Sequence, residues 1–175
     1  NTEMEVILLV DRSFSSEDSL NEKNRFVGSV IDNCDSMYRL GVVKFGYDQV
    51  YAVELSTNTD QMYETYLSAP EPDVTATDLA SALTYTATLF ANPANARIVV
   101  MTDVLETDGV TRDVIKSLAA KGIKVDTVYM AEEDVGREVQ IIDAMQSVPK
   151  VEIDSKFEMQ VTLQSSYAGA ATITP

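Results

Sequence analysis

A set of oxygen-bearing side chains lies next to the apolar runs of this sequence. The run Asp11-Arg12-Ser13-Phe14-Ser15 places one carboxylate and two hydroxyls on a single loop. Asp103 follows a second apolar run, and Thr75-Ala76-Thr77-Asp78 opens a predicted helix. A hard cation such as Mg²⁺ prefers near-octahedral coordination by oxygen and keeps waters where the protein offers too few ligands. Two carboxylates with several hydroxyls and water suit such an ion if they converge.

Each piece of this set also has a plainer interpretation. A serine-rich turn that caps a helix accounts for the Asp-x-Ser-x-Ser run, and Asp103 can cap a following turn. Thr77 or Asp78 can be an ordinary N-cap residue. The whole set, in order and with each piece at the end of a strand or the start of a helix, is much harder to obtain by chance.

Strand-like and helix-like segments alternate along the chain. This pattern predicts a doubly wound α/β fold, with a mostly parallel central sheet and helices on both faces. The continuous apolar run at residues 6–10 is typical of a central strand buried on both faces. Residues 97–102 and 123–130 are predicted to be a second and a third buried strand. Because ligands of such sheets bind beyond the carboxyl ends of the strands, Asp11 and Asp103 are placed where a site is expected.

The remaining elements follow from turn residues and helical spacing. Residues 40–45 and 50–55, joined by a short link at 46–49, predict an antiparallel hairpin that supplies an edge strand. Helices are predicted after a cap at Ser16 or Ser19, over residues 60–67, over 79–90, around 114–119 before the C-cap glycine Gly122, and finally at Val139, Ile142 and Met145.

The last part of the chain changes character. Residues 151–175 contain alternating polar and apolar positions, which predict two half-buried strands around a turn. We therefore divide the chain into a main domain at residues 1–150 and a β-rich extension at residues 151–175. The extension is either a β-hairpin that packs on the main domain or the start of a β-sandwich domain.

Composition excludes several classes of function. The 175 residues carry a net charge of −15, which argues against nucleic acid and against direct contact with anionic lipid. The sequence has no histidine, and Cys34 is its one cysteine. Histidine-based catalytic triads, internal disulfides and zinc sites with nitrogen and sulfur ligands are therefore excluded. The scattered glycines form no phosphate-binding loop, so we expect a binding protein rather than an enzyme.

The chain resembles the von Willebrand factor type A domain, the fold shared with integrin inserted domains. The resemblance extends over about residues 5–149. It rests on the strand that ends in Asp11-Arg12-Ser13-Phe14-Ser15 and on four further segments, residues 39–45, 75–80, 97–103 and 118–125.

The resemblance implies a metal-ion-dependent adhesion site (MIDAS). Carried over position by position, its ligands are Asp11, Ser13, Ser15, Thr75 and Asp103. Thr75 is chosen because the family threonine is often the first of a Thr-x-Thr pair. Thr77 then becomes the helix cap, and it is also the alternative ligand. The chain departs from the family pattern at Val104, where glycine is frequent, and at residues 71–74, where the family loop is often glycine-rich.

The resemblance also implies a function. A bound divalent cation, Mg²⁺ with Mn²⁺ or Ca²⁺ as alternatives, is completed by a Glu or Asp carboxylate of a protein partner. The chain is then an adhesion module of an extracellular or cell-surface protein. The alternative is an intracellular scaffold within a chelatase-like or chaperone-like assembly. Phe14, a non-ligand position of the motif, is expected to pack beneath the loop.

Overall fold

The structure is a computed structural model, and it describes residues 3–14, 17–102, 108–130, 139–146 and 159–165. Strands and helices alternate through most of this part of the chain. The strands are β1 (Met4–Asp11), β2 (Tyr38–Phe45), β3 (Gln49–Ser56), β4 (Ala96–Thr102), β5 (Lys124–Tyr129), β6 (Val139–Gln146) and β7 (Met159–Ser165). The helices are α1 (Glu17–Asp32), α2 (Met62–Ser68), α3 (Leu79–Ala87) and α4 (Gly109–Ala120), with a 3₁₀ turn at Pro93–Asn95.

The first five of these strands form one mixed sheet in the order β3-β2-β1-β4-β5. β1 pairs in parallel with β2 on one side and with β4 on the other, and β5 extends the parallel part. β3 is the antiparallel edge strand and forms the predicted hairpin with β2. The predicted α/β class, with a mostly parallel sheet and one antiparallel edge strand, is therefore confirmed.

Helices cover both faces of this sheet. Side chains of a strand alternate between faces, so Leu9 contributes to the core beneath α3 and α4, where it joins the cluster that contains Leu83. Leu8 contributes to the opposite core with Val27 of α1 and Tyr66 of α2. These side chains are almost fully buried, and burial of each apolar one contributes about 1.5–3 kcal/mol.

The end of α4 confirms the predicted glycine cap. Gly122 has a φ of +90°, in the region that glycine adopts at no steric cost. Its N–H donates to Ala119, and the N–H of Ile123 donates to Leu118, which is the Schellman arrangement. The cap reverses the chain directly into β5.

Two sequence predictions about elements are wrong. Residues 139–146 form β6 rather than a last helix, and β6 pairs antiparallel with β7. The predicted third buried strand, β5, is an edge strand of the five-stranded sheet, with four of its six side chains exposed. Of the two predicted cap residues of α1, Ser19 lies within the first turn of the helix and is buried, so it is not the cap. Ser16 lies outside the described residues.

The chain divides into two compact units, residues 1–132 and 133–175. The first contains the five-stranded sheet and its helices, and the second contains the β6–β7 pair. The predicted strand at 157–163 corresponds to β7, whereas residues 171–174 lie outside the described part. Among the described helices, none is long and apolar enough to cross a membrane.

Candidate metal site

The candidate site lies where the order of the strands reverses. The chain leaves β1 through α1 to reach β2 on one side, and later places β4 on the other side of β1. The carboxyl ends of β1 and β4 therefore border a crevice of the kind that binds ligands in open α/β sheets. Asp11 is the last residue of β1, and Thr102 is the last residue of β4. The Thr102 hydroxyl donates to Oδ2 of Asp11 at 2.9 Å, which joins the two strand ends.

Asp11 is fully buried and its carboxylate is held by several donors. Its Oδ1 accepts hydrogen bonds from the backbone N–H of Ser13 at 2.9 Å and from the Ser13 hydroxyl at 2.5 Å. The ammonium of Lys23, also fully buried, donates to the backbone carbonyl of Asp11 at 3.0 Å. The loop thus turns the Ser13 hydroxyl back onto the carboxylate.

The hydroxyl of Thr77, and not that of Thr75, contacts the Asp11–Ser13 pair. The hydroxyls of Ser13 and Thr77 form a hydrogen bond. The cap of α3 is Asp78, whose side chain accepts from the backbone N–H of Ser81, so the Thr77 hydroxyl is not used as a cap. The expectation that Thr77 caps the helix is therefore wrong.

Thr75 is turned to a different partner. Its hydroxyl donates to Oδ1 of Asp73 at 2.6 Å, and its backbone N–H donates to the same atom at 2.9 Å. These two bonds, the hydroxyl first, hold the pKa of Asp73 below its usual value. The sequence could not separate the two threonines, because both fit a Thr-x-Thr pair and the contact that distinguishes Thr77 is with Ser13, 64 positions away in the chain.

The described residues include three of the five predicted ligands. Asp11 and Ser13 lie together at the crevice, Thr75 is hydrogen-bonded to Asp73, and Ser15 and Asp103 lie outside the described residues. Within the described part, no group of three or more His, Cys, Asp or Glu residues could hold a metal ion. The oxygens of Asp11, Ser13 and Thr77 are nevertheless of the kind that hard divalent cations prefer, so the donors fit such an ion.

Backbone hydrogen bonds join the three loops around the site. Arg12 N–H donates to the Phe45 carbonyl at 2.8 Å, and Asp78 N–H donates to the Gly46 carbonyl at 2.9 Å. A Cβ on Gly46 would lie 2.2 Å from the carbonyl oxygen of Asp73, so only glycine fits there without a shift of the backbone. The close approach fixes the segment that carries Thr77 against the end of β2.

Two aromatic side chains project from these loops into solvent. Phe14 is 78% exposed, so the expectation that it packs beneath the loop is wrong. Tyr47 is 62% exposed. The N–H of Phe14 donates to the Val74 carbonyl, and that of Tyr47 donates to the Asp73 carbonyl, so both residues flank the same segment.

A small cleft of about 160 Å³ opens between the ends of β4, α3 and α4. Thr77, Thr102 and Thr111 are among its lining residues, together with Asp108. Asp108 is the N-cap of α4 and accepts from the backbone N–H of Thr111 at 2.7 Å. That hydrogen bond holds the pKa of Asp108 below its usual value.

Sequence reasoning missed a charged cluster that includes Arg12, the residue between Asp11 and Ser13. It is formed by Arg12, Asn24, Lys44, Tyr66 and Glu71. Lys44 was the available signal, since a lysine within the apolar run of β2 must find polar partners when it is buried. Its side chain is 1% exposed.

The cluster shifts two pKa values in opposite directions. Burial raises the pKa of the Tyr66 phenol to about 12, against the opposing effect of Arg12. Partial burial also raises the pKa of Glu71, but hydrogen bonds from Lys44 and Arg12 outweigh it and bring the pKa below its usual value of 4.5. Glu71 is therefore a carboxylate at neutral pH.

The chain belongs to the von Willebrand factor type A domain family, whose model matches residues 5–165. The family often mediates metal-dependent protein interactions, and its members are generally interaction modules rather than enzymes. The matched range includes both β6 and β7. No curated protein sequence matches the chain significantly.

Solved structures share the fold at low identity. Conserved hypothetical protein BatB from Bacteroides thetaiotaomicron is 22% identical, with a TM-score of 0.63 over 72% of this chain and 66% of that one. An aerotolerance-related membrane protein from Bacteroides fragilis is 20% identical, with a TM-score of 0.65 over 91% and 81%. Proximal thread matrix protein 1 from the mussel byssus, with a zinc-occupied MIDAS motif, is 16% identical, with a TM-score of 0.61 over 73% and 38%. The chain thus spans less than two thirds of the first and third of these proteins.

Proposed function

We propose that this chain is a metal-dependent protein-binding module, in which a divalent cation at the carboxyl edge of the sheet is completed by a carboxylate of the partner. The observation that carries the proposal is the convergence of the Asp11 carboxylate with the hydroxyls of Ser13 and Thr77. This convergence occurs at the strand-order reversal, where the fold offers a crevice. Membership of a family that often binds partners through metal supports it.

The proposed ligands are Asp11, Ser13 and Thr77, together with Ser15 and Asp103 from the sequence motif. Thr77 replaces Thr75 in this set because the Thr75 hydroxyl is bonded to Asp73, whereas that of Thr77 lies against Ser13. All these donors are oxygens, which favours Mg²⁺, with Mn²⁺ and Ca²⁺ as alternatives. The mussel protein with a zinc-occupied MIDAS motif supports metal binding within this fold.

When bound, the ion supplies a positive charge that can take a partner carboxylate in place of a water. That charge matters because the chain carries a net charge of −15 and otherwise repels acidic partners. Phe14 and Tyr47 flank the segment that carries Thr77, and their exposed rings offer apolar contact to residues around the partner's carboxylate. The partner is therefore a protein segment with one acidic side chain among apolar ones. An adhesion role of this kind places the module in an extracellular or cell-surface protein.

Thermal unfolding tests the metal part of the proposal. We expect added Mg²⁺ to raise the midpoint of the wild-type chain above its value in chelator, because an ion bound only by the native state stabilises it, by about 2.7 kcal/mol at one hundred times Kd. Asp11→Asn removes the ligand charge at nearly constant volume and should abolish the rise. Asp126→Asn is the matched control, since Asp126 is an exposed acid whose salt bridge is with Arg97. An equal rise in all three proteins, or none in the wild type, would contradict the proposal.

Peptide pairs that differ only by Glu or Gln test the partner part. We expect surface-bound Glu peptides with flanking apolar residues to retain the wild-type chain in Mg²⁺ and to release it in chelator. Equal retention of the Gln peptides would show that the ion does not recognise a carboxylate.

A further inference from the structure

We propose that Arg12 is a positioning residue for the metal site, which it keeps assembled by clamping the Asp11–Ser13 loop to the segment that carries Thr77. The inference rests on the proposed function, since it concerns the affinity of the same site for a cation. Arg12 lies between two ligands of the motif without being a ligand itself.

The clamp is a two-point ion pair between residues 59 positions apart in the chain. Nε of Arg12 donates to Oε2 of Glu71 at 2.8 Å, and its Nη2 donates to Oε1 of Glu71 at 3.1 Å. Its Nη1 donates to Oδ1 of Asn24 at 3.0 Å and to the Tyr66 hydroxyl at 3.4 Å. The Arg12 side chain is only 11% exposed, so these contacts fix its orientation.

Glu71 is held from a second side by Lys44. The Lys44 ammonium donates to Oε1 of Glu71 at 2.9 Å and to the Ala69 carbonyl at 3.0 Å. It also lies 5.0 Å from the centre of the Tyr66 ring, within the range of a cation–π interaction. Glu71 therefore cannot follow Arg12 if the loop moves, because Lys44 ties it to β2 and to the end of α2.

The positions of these residues connect the clamp to the ligands. Arg12 lies between Asp11 and Ser13, so its side chain fixes the loop on which both stand. Glu71 lies near the start of the non-helical segment between α2 and α3, and Thr77 lies near the end of that segment. The Ser13–Thr77 contact joins these two parts of the chain, so it depends on how they are aligned.

Two other roles for Arg12 predict different effects of its removal on cation affinity. If Arg12 only balances charge, its removal makes the site more negative, and a divalent cation binds more tightly. If it only stabilises the fold, its removal lowers the unfolding midpoint in chelator and leaves the affinity of the folded protein unchanged. Only a positioning role predicts that removal of Arg12 weakens cation binding even though it makes the site more negative. The direction of the change in Kd therefore separates the three roles.

The experiment measures Mg²⁺ affinity by titration calorimetry, well below the unfolding midpoint, for the wild type, Arg12→Gln and Arg12→Lys. We expect both variants to bind roughly ten-fold more weakly or worse, in the range found when residues that orient metal ligands are replaced. Arg12→Lys keeps the charge but loses the two-point contact, so a purely electrostatic role leaves it unchanged. Arg97→Gln is the matched control, because Arg97 forms an exposed ion pair with Asp126 near the start of β4. We expect this variant to bind Mg²⁺ as the wild type does.

Each outcome decides the inference. Wild-type affinity or tighter binding in Arg12→Gln overturns positioning while the proposed function stands. Absence of Mg²⁺ binding by the wild type overturns the proposed function, and the inference with it. If Arg12→Gln does not fold, Arg12→Lys and the near-isosteric Glu71→Gln decide by the same titration, and wild-type affinity in both overturns the clamp.

Discussion

At the scale of single residues, side chains of the same type have different tasks because of their neighbours. Thr75 and Thr77 are two positions apart, yet one hydroxyl is bonded to Asp73 and the other lies against Ser13. The two non-ligand positions of the motif also differ in their surroundings: the Arg12 side chain is largely enclosed in a charged cluster, whereas Phe14 projects into solvent. The residue types were visible in the sequence, but the contacts of Thr77 with Ser13 and of Arg12 with Glu71 were not, because each joins two separate loops.

The acid side of the pH range should reveal the contribution of Glu71. Its pKa is lowered below 4.5 in the folded chain by Lys44 and Arg12, so its stabilising effect is present above that pH and is lost as pH falls through the lowered pKa. We expect the wild type to be more stable than Glu71→Gln at pH 7, by at most about 1 kcal/mol because the carboxylate is half exposed. The difference should shrink steadily below pH 4.5. Thermal unfolding of both proteins in chelator between pH 7 and pH 3 measures it, and a difference that does not depend on pH contradicts the assignment.

At the scale of elements, the ends of β1, β2 and β4 supply the frame on which the loops converge. Apolar runs and turn residues predicted β1, the β2–β3 hairpin and the helices from α1 to α4, because each of these has a strong local pattern. β6 was mistaken for a helix because Val139, Ile142 and Met145 fit a helical spacing. These residues instead form a strand because they pair with β7, and local spacing carries no information on a partner that is distant in sequence.

Gly46 tests how strictly these loops must fit. Its missing Cβ leaves room for the Asp73 carbonyl, so Gly46→Ala forces residues 73–77 away from the end of β2. We expect Mg²⁺ affinity to fall roughly ten-fold or more, with a loss of stability of about 1–3 kcal/mol from the displaced packing. Calorimetry and denaturant unfolding measure the two effects. Gly109→Ala is the control, since a Cβ there meets nothing within 4 Å, and equal behaviour of the two variants would show that the close approach is unimportant.

At the scale of the whole molecule, the fold was more predictable than the site. The alternation of strands and helices was sufficient for the α/β class and for the edge of the sheet that carries Asp11. The choice between Thr75 and Thr77 and the Arg12–Glu71 clamp depend on contacts between distant segments, which no local pattern encodes. The net charge of −15 acts at this scale as well, because it favours cations at the crevice and disfavours acidic partners until an ion is bound.

The most direct test of the proposed site is calorimetric titration of Mg²⁺ into the wild type, Thr77→Val and Thr75→Val. Each substitution removes one hydroxyl at nearly constant shape, so the two variants are matched. We expect the wild type to bind one ion, Thr77→Val to bind it at least roughly ten-fold more weakly, and Thr75→Val to bind it as the wild type does. Binding that is unchanged in Thr77→Val and weakened in Thr75→Val would contradict the assignment of Thr77 and make Thr75 the threonine ligand.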